Sequence, residues 1–535
     1  MSPTLRRSLL CALQSPVFRP PSLLPCISRP SLTSRPHSAT ISTACTADKS
    51  LRREIEPHAY TSGRWLRHDR QELELRYIPF NFGALCQKVI ELCPRARSIQ
   101  ACEKVEGGFN RVFIFTLNNA KKIVAKLPFR LARPAKLTTI SEVATMCYLQ
   151  SKTNIPIPQV LAYHPDAADQ ENIVGSEYII MEHAAGVPLN KRWHQMAGDQ
   201  RVRCIKAICQ TMKESVDLQF PAFGSIYFDR SLDSAGNQSL GDGFCVGPHC
   251  SKRYWNTDAA GRGNYQNAKY IHGPWSSITE YRNGLIDAGL SHVPPVDTEL
   301  ERRPFYHGSP ESHVALLERA RPVLRQMCAD TRISHSATPL LFHPDLHMRN
   351  ILVSEDDPCT VTSIIDWQAA SIEPAFWYAD ETPDFATENE IFYQAFDLSS
   401  QFFTPRLAAP RLMDENLFRP FRYCYRTWKD GAVAFRHEMI QTARLWNQLG
   451  DELEQHEREY RLFGAAQQLQ SDLAEFLNTA TDGWVPPEDF ERVQVAHKEL
   501  FEGMLQHLLT KQDPYEDEPV RDERTLRSIW PFDID

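Results

Sequence analysis

The sequence predicts an α+β protein of two lobes, in which an antiparallel sheet is followed by a larger, mainly helical lobe. The first observation is a series of short apolar runs between glycine and asparagine turns, from about residue 104 to residue 182, which is typical of strands. The second is helical periodicity over much of the chain after residue 187. The third is a polar loop in the helical half, which leads into a predicted hairpin at 351–365.

The polar loop carries the residue types that phosphoryl transfer requires. His343, Asp345 and Asn350 are spaced H-x-D-x-x-x-x-N, and Asp366 ends an apolar run sixteen residues after Asn350. Mg²⁺ prefers carboxylate and amide oxygens, and a further carboxylate can orient an accepting hydroxyl. We therefore expect Asp345 to be catalytic, and Asn350 and Asp366 to bind the metal. Asp and Asn are also common in ordinary turns, which is the alternative interpretation of the motif alone.

Two histidines of this loop are interpreted differently. His343 is expected to brace the loop by hydrogen bonding, without a chemical step. His347 is expected to be a polar loop residue and not a base.

The upstream half of a nucleotide site is also predicted. Gly107 and Gly108 lie between two strand-like runs, where a glycine turn would let backbone amides approach phosphates. Lys126 is a lone cation in the apolar strand 123–127, which is costly unless the cation is paired. Glu142, in the first turn of a predicted helix, is the expected partner. The alternatives are an ordinary hairpin turn, and a Glu142 that only complements the helix dipole.

A buried strand that ends at Glu182 would lead into a hinge whose backbone contacts the adenine of a nucleotide. The order of glycine turn, lysine, glutamate, hinge strand, catalytic loop and metal carboxylate is then complete along the chain. This order is more specific than any one of its motifs.

These motifs resemble known families. HPDLHMRNIL at 343–352 and IIDW at 364–367 resemble the aminoglycoside phosphotransferase (protein-kinase-like) superfamily. Within it, the chain is similar to the fungal altered inheritance of mitochondria protein 9 family, through VEGGFNRVF at 105–113, SEVATMCYL at 141–149 and GSEYIIMEHAAG at 175–186. The resemblance implies a bilobal kinase-like fold, ATP and Mg²⁺ as cofactors, and Lys126 on phosphate. The chain departs from the superfamily at Pro344 and at Gln368, where no glycine follows Asp366-Trp367.

The first 47 residues have the composition of a mitochondrial transit peptide. They contain five arginines, many serines and no Asp or Glu. Their prolines predict disorder, and an untargeted disordered tail is the alternative. The expected organisation beyond them is an N-terminal extension (48–74), the sheet lobe and hinge (75–186), the helical lobe (187–480) with an irregular insertion near 221–275, and a polar C-terminal tail (481–535).

Bulk properties exclude several classes of protein. The formal net charge is −8, which argues against nucleic-acid binding because such proteins carry a basic surface. No apolar run is long enough to predict a membrane span. The fourteen cysteines are scattered and are expected to be reduced thiols. Cys245-Val-Gly-Pro-His-Cys250 lacks the further ligands that would predict a metal site.

Three functions are compatible with the sequence. The first is ATP- and Mg²⁺-dependent phosphoryl transfer to a small hydroxyl-bearing acceptor, whose identity is not predicted. The second is a nucleotide-binding pseudokinase or scaffold in mitochondrial maintenance, which the Asp366-Trp367-Gln368 variant permits. The third is a protein kinase, which is disfavoured because no activation-loop motif follows Asp366.

Overall fold

A computed structural model describes residues 55–132, 134–232, 236–255, 272–295, 303–379, 382–446, 453–510 and 519–534. The predicted transit peptide, and the part of the predicted insertion at 256–271, lie outside these residues. The transit peptide therefore stays a prediction.

The first lobe is built around a five-stranded antiparallel sheet with the strand order β2-β3-β4-β6-β5. Its strands alternate in burial, so that Phe113, Phe115 and Leu117 of β3 are fully buried on one face. That face packs on helix α2, whose Phe82 and Leu85 are also fully buried. The elements of this region are β1 (Arg64–Trp65), α1 (Asp69–Leu75), α2 (Phe82–Glu91), β2 (Ile99–Glu106), β3 (Asn110–Leu117), β4 (Lys122–Pro128), α3 (Leu137–Lys152), β5 (Val160–His164) and β6 (Tyr178–Glu182).

Helix α3 covers the other face of this sheet and is buried along nearly its whole length. The apolar residues of this helix form only a narrow stripe in the sequence. The structure also buries Ala144 and Tyr148, because α3 lies between the sheet and strand β8 of the second lobe. The helix begins at Leu137, so the prediction that Glu142 occupies its first turn is wrong. The helix dipole therefore does not explain Glu142.

The second lobe is mainly helical, and the predicted α+β class with a sheet lobe before a helical lobe is confirmed. Its first elements are β7 (Val187–Pro188), α4 (Leu189–Trp193), α5 (Gly198–Asp217), β8 (Ser225–Phe228), β9 (Gln238–Gly241), β10 (Phe244–Gly247), α6 (Ile278–His292), α7 (Pro310–Cys328) and α8 (Thr331–Ser336).

The predicted irregular insertion differs from the observed structure, because β8, β10 and β9 form an antiparallel sheet within it. The glycines of this stretch obscured the strands in the sequence, but Gly224 and Gly247 have a packing role. A Cβ on Gly224 would lie 2.3 Å from the carbonyl oxygen of Gly247. This close approach lets Gly224 exchange backbone hydrogen bonds with Ile372, at 3.1 and 2.7 Å, beyond the catalytic loop.

The predicted hairpin of the catalytic region is present. Strand β12 pairs with β13 and places Ile351 opposite Ile364. Strand β11 pairs with β14, so two ladders flank the polar loop and the residues after it. The elements here are β11 (Pro339–Leu341), β12 (Ile351–Val353), β13 (Val361–Ile364), β14 (Ile372–Pro374), α9 (Ala375–Ala379), α10 (Asp384–Thr387), α11 (Glu390–Phe403), α12 (Ala408–Arg411), α13 (Arg419–Cys424) and α14 (Thr427–Asp430).

The C-terminal region returns to the start of the chain. Strand β15 pairs with β1, and Trp530 and Phe532 of the otherwise polar tail are buried. The last elements are α15 (Ala432–Trp446), α16 (Leu453–Leu477), β15 (Trp484–Val485), α17 (Phe490–Thr510) and α18 (Glu523–Ile529). The stretch 452–460 is heavily charged, which is typical of a solvated helix face, yet His456 and Glu459 within it are buried.

None of the helices that the structure describes is long and apolar enough to cross a membrane. The cysteines within the described ranges are free thiols. Burial raises the pKa of several of them, that of Cys424 to about 12, so these thiols are protonated at neutral pH.

Candidate active site

The loop after β11 is braced by His343, as the sequence predicted. The Nδ1 atom of His343 accepts a hydrogen bond from the backbone N–H of Asp345 at 3.1 Å. Its Nε2 atom then carries the proton and donates to the carbonyl oxygen of Ile365 at 2.9 Å. Burial lowers the pKa of His343 to about 4 against the opposing effect of Asp345, so the ring stays neutral. The histidine thus joins the catalytic loop to the residue before Asp366.

Asp345 projects from this loop with 61% of its side chain exposed. Its Oδ2 atom lies 3.1 Å from Nε2 of His347. Partial desolvation would raise the pKa of Asp345, but the hydrogen bond and charge of His347 outweigh it and lower the pKa. Conversely, Asp345 raises the pKa of His347 although burial opposes this. His347 was expected to be a simple polar loop residue. Its place two residues after Asp345 was the available signal for this pair.

Asn350 lies beside Asp345. Its Nδ2 atom donates to the carbonyl oxygen of Asp345 at 3.0 Å. The backbone N–H of Ile365 donates to the carbonyl oxygen of Asn350 at 2.9 Å, which continues the hairpin ladder. The hairpin therefore brings Asn350 next to the residue that precedes Asp366.

Lys126 links the two lobes at the centre of the site. Its Nζ atom lies 2.6 Å from Oε1 of Glu142 and 2.6 Å from Oδ1 of Asp366. The expected ion pair with Glu142 is thus present, and a second pair with Asp366 was not foreseen. Burial would lower the pKa of Lys126, but the two carboxylates outweigh it and raise the pKa. Burial is also the main reason that the pKa of Glu142 is raised.

Asp366 has a left-handed backbone conformation, with φ of 68°. Residues other than glycine adopt this region rarely, and the strain persists only where the surroundings impose it. Here the fully buried ring of Trp367 holds the next residue, and its Nε1 atom donates to the carbonyl oxygen of Ile364 at 3.1 Å. The bend turns the carboxylate of Asp366 towards Lys126.

Gly107 and Gly108 form the turn between β2 and β3, as predicted, and neither has a positive φ. A Cβ on Gly107 would meet only the carbonyl oxygen of Asn110, at an ordinary distance of 3.8 Å. The turn itself therefore does not require glycine at position 107. Close approach of a ligand to the backbone would explain the residue instead.

The structure adds a contact that sequence reasoning missed. The side-chain amides of Asn110 and Gln368 exchange two hydrogen bonds, at 2.8 and 3.0 Å. Asn110 follows the glycine turn, and Gln368 lies two residues after Asp366. The sign of this contact in the sequence was Gln368 itself, which departs from the superfamily pattern and is not explained by its neighbours in the chain.

Glu182 lies outside this cluster. Its carboxylate forms an ion pair of 2.9 Å with Lys121, and its backbone N–H donates to the carbonyl oxygen of Gln159. Glu182 is opposite Ile123 in the sheet, whereas Lys126 is opposite Ile179. The expected contact of Glu182 with a nucleotide stays a prediction.

His249 and Cys250 of the segment 245–250 are engaged by other side chains. His249 Nε2 lies 2.9 Å from Oε1 of Glu373, and the Sγ atom of Cys250 lies 2.9 Å from the Tyr227 hydroxyl. Arg253 is the second partner of Glu373, at 3.0 Å. This buried cluster packs behind the catalytic region through β14.

Comparison with solved structures finds aminoglycoside phosphotransferases and kinase-like proteins as neighbours. The GDP complex of wild-type aminoglycoside 2'-phosphotransferase-IIIa is 15% identical, with a TM-score of 0.33, and the match covers 73% of this chain and 99% of that one. A putative fructosamine-3-kinase from Thermobifida fusca is also 15% identical, with a TM-score of 0.35, over 68% of this chain and 98% of that one. No family model matches the chain.

Fungal proteins are among the curated proteins similar to this chain. A subtelomeric hrmA-associated cluster protein of Aspergillus fumigatus is 27% identical over 504 residues, which cover 77% of this chain and 96% of that protein. Altered inheritance of mitochondria protein 9 of Meyerozyma guilliermondii, named as mitochondrial, is 24% identical over 471 residues, which cover 72% of this chain and 74% of that protein. The predicted similarity to the altered inheritance of mitochondria protein 9 family is confirmed.

Proposed function

We propose that this protein transfers a phosphoryl group from Mg²⁺-bound ATP to a hydroxyl group of a small acceptor. The observation that carries the proposal is the position of Lys126, whose ammonium group joins Glu142 of the sheet lobe to Asp366 of the catalytic half. Such a buried cation, beside a carboxylate suited to a metal, is the arrangement that binds nucleotide phosphates in kinase-like enzymes.

The residues around Asp366 fit a magnesium ion. The Nδ2 atom of Asn350 is engaged with the backbone of Asp345, which leaves the amide oxygen as the atom for a hard cation. Asp366 keeps 38% of its side chain exposed, so its carboxylate is accessible beside Lys126. A bound Mg²⁺ would neutralise phosphate charge, which is the contribution that phosphoryl transfer most needs from a metal.

Asp345 is the residue best placed to act on the acceptor. Its carboxylate is exposed at the mouth of the site, and His343 and Asn350 hold its backbone from two sides. It can accept a hydrogen bond from the hydroxyl group and orient the oxygen towards the phosphate. His347 restricts the rotation of this carboxylate through their hydrogen bond.

We place the reaction in the mitochondrion. The composition of residues 1–47 supports this location. The relatives named altered inheritance of mitochondria protein 9 support it independently, because their names describe them as mitochondrial. The acceptor is a small molecule by analogy with the kinase-like neighbours.

Thermal unfolding of the full-length chain with ATP tests the nucleotide site. We expect Mg²⁺-dependent stabilisation in the native chain, about 2.7 kcal/mol at a nucleotide concentration one hundred times its Kd, and none in Asp366→Asn. Asp356→Asn is the matched control, because it makes the same change in the exposed turn at the other end of the hairpin.

The result decides between the candidate functions. Absence of stabilisation by any nucleotide in the native chain would contradict the proposal. Stabilisation without turnover of any hydroxyl compound would support the pseudokinase or scaffold instead. Phosphate that appeared on protein substrates would indicate a protein kinase.

A further inference from the structure

We infer that Asn110 and Gln368 are positioning residues, which hold the glycine turn against the metal-site loop when the two lobes close. The inference rests on the proposed function and deepens it, because neither residue is expected to touch substrate. The amide groups exchange two hydrogen bonds, each side chain donating once and accepting once. The pair joins residues 258 positions apart in the chain, one on each side of the cleft.

The Gln368 side of this amide pair is rigid. Gln368 lies between Trp367, which is fully buried, and Ala369, which has a positive φ of 59°. Asp366 has a positive φ as well, so the loop is a tight bend whose conformation its neighbours impose. The side-chain amide of Gln368 is therefore held at a nearly constant place relative to the carboxylate of Asp366.

The position of Asn110, the other member of the amide pair, is constrained as well. Asn110 is 7% exposed, and its carbonyl oxygen accepts the backbone N–H of Gly107 at 2.9 Å. The carbonyl oxygen of Phe109 accepts the N–H of Phe129, the residue after strand β4, at 2.8 Å. Displacement of the side-chain amide of Asn110 therefore shifts the backbone amides of Gly107 and Gly108 as well.

A second contact holds the glycine turn, and its partner also belongs to the helical lobe. The Nζ atom of Lys252 lies 5.2 Å from the ring centroid of Phe109. Lys252 is adjacent to Arg253, which the buried Glu373 anchors at 3.0 Å. The chain at the glycine turn thus contacts the helical lobe at two successive residues, Phe109 and Asn110; one partner follows Asp366 and the other follows strand β10.

The chemistry of the pair suits a contact that opens and closes. Two neutral amides that separate leave no buried charge, unlike an ion pair in the same place. The turn is short and lacks the three glycines of the longer G-x-G-x-x-G loop. A cross-lobe hydrogen-bond pair supplies the positioning that a longer loop would obtain from its own backbone.

The test measures the dissociation constants of ATP with and without Mg²⁺, using the full-length chain and its variants. In Asn110→Ala and in Gln368→Ala, we expect the ratio of the ATP dissociation constant without Mg²⁺ to that with Mg²⁺ to fall about tenfold. The dissociation constant without Mg²⁺ should stay within about twofold of the native value. The double variant should match either single one, because both remove the same interaction. The exchange N110Q/Q368N keeps the summed side-chain length and should restore the effect. Asn119→Ala, an exposed amide at the other end of strand β3, is the control.

Other results overturn the inference. Equal losses with and without Mg²⁺, additive single variants, or an exchange variant without recovery would each show a structural contact only. Hydrogen exchange gives a readout without nucleotide. Gln368→Ala should speed exchange of the amides at 107–110 and leave the exchange of strand β6 unchanged. Unchanged exchange rates at 107–110 would contradict the inference. A native chain that binds no nucleotide would instead contradict the proposed function, together with the inference built on it.

Discussion

At the scale of single residues, the site depends on charges that compensate one another. Lys126 is buried, and it is stable there because Glu142 and Asp366 each lie 2.6 Å from its ammonium group. Asp345 differs from these residues, because its carboxylate is exposed and its partner His347 is a weaker one. The compensated cluster, in which the carboxylate of Asp366 stays partly exposed, therefore adjoins the more exposed carboxylate of Asp345, a division suited to binding at the first and chemistry at the second.

Asp345→Asn should lower the rate of acceptor turnover by about 10²- to 10⁴-fold and leave the binding of Mg²⁺-bound ATP unchanged. The substitution keeps the shape of the side chain and removes the charge that orients the hydroxyl. A coupled assay for ADP measures the rate, and the thermal shift measures binding. A variant that retained full turnover would show that Asp345 is not catalytic.

Glu373→Gln should destabilise the fold by about 3–5 kcal/mol at neutral pH, because it leaves the buried Arg253 without its counter-charge. Burial would raise the pKa of Glu373, but Arg253 and His249 outweigh it and lower the pKa to about 2 from its ordinary value of 4.5. A lowered pKa in the folded state means that the stabilisation is complete above about pH 5 and is lost as the pH falls towards 2.

Urea unfolding at several pH values measures this difference in stability. The advantage of the native chain over Glu373→Gln should be constant from pH 5 to 7 and smaller at pH 3. Glu355→Gln, an exposed carboxylate in the hairpin turn, is the control and should change stability little. An advantage that did not shrink at low pH would contradict the assignment of the charge.

At the scale of elements, the two ladders β12–β13 and β11–β14 position the site. The first brings Asn350 next to the start of the metal-site bend, and the second returns the chain beside the entry to the catalytic loop. The sheet β8–β10–β9 is joined to the second ladder by the backbone hydrogen bonds that Gly224 and Ile372 exchange. That attachment depends on the absence of a side chain at position 224.

Gly224→Ala should therefore destabilise the protein by about 1–3 kcal/mol, because the new methyl group would overlap the backbone of Gly247. Gly503→Ala is the matched control: nothing lies within 4 Å of its added Cβ, and position 503 is inside helix α17. The control should stabilise the protein by about 0.5–1 kcal/mol through helix propensity. Equal unfolding midpoints for both variants would contradict this account.

At the scale of the whole molecule, the two ends of the described chain pack together beside the sheet lobe. Strand β1 pairs with β15, and the backbone N–H of His68 donates to Oδ2 of Asp533 at 2.7 Å. Phe532 lies against Gly483 and the ring of His497. The tail is thus part of the folded body, and we propose that the N-terminal extension is structural as well.

Phe532→Ala should cost about 3–5 kcal/mol of stability, because the ring is 4% exposed and its removal leaves a cavity. Phe402→Ala removes the same group where it is 77% exposed and should change stability by less than about 1 kcal/mol. Unfolding in urea compares the two variants. Similar losses for both would show that the tail does not stabilise the body.

Local sequence patterns were sufficient for much of the fold and part of the site. The alternation of Phe113 and Phe115, and the hairpin from Ile351, could be predicted because strand periodicity and turns act over a few residues. The strands around Gly224 were missed, since their glycines resemble those of loops. The burial of Glu459 was missed because charge predicts solvation unless a partner is known, and that partner, Arg436, lies on another helix.

The sequence by itself determined the chemical groups of the site and their order along the chain, because motif spacing and strand ends are local properties. It also determined the α+β class through its two periodicities. The tertiary structure alone decided which distant groups meet: Lys126 with Asp366, Asn110 with Gln368, and Arg253 with Glu373. Each of these pairs joins residues more than one hundred positions apart, so its formation depends on tertiary packing and not on any local preference.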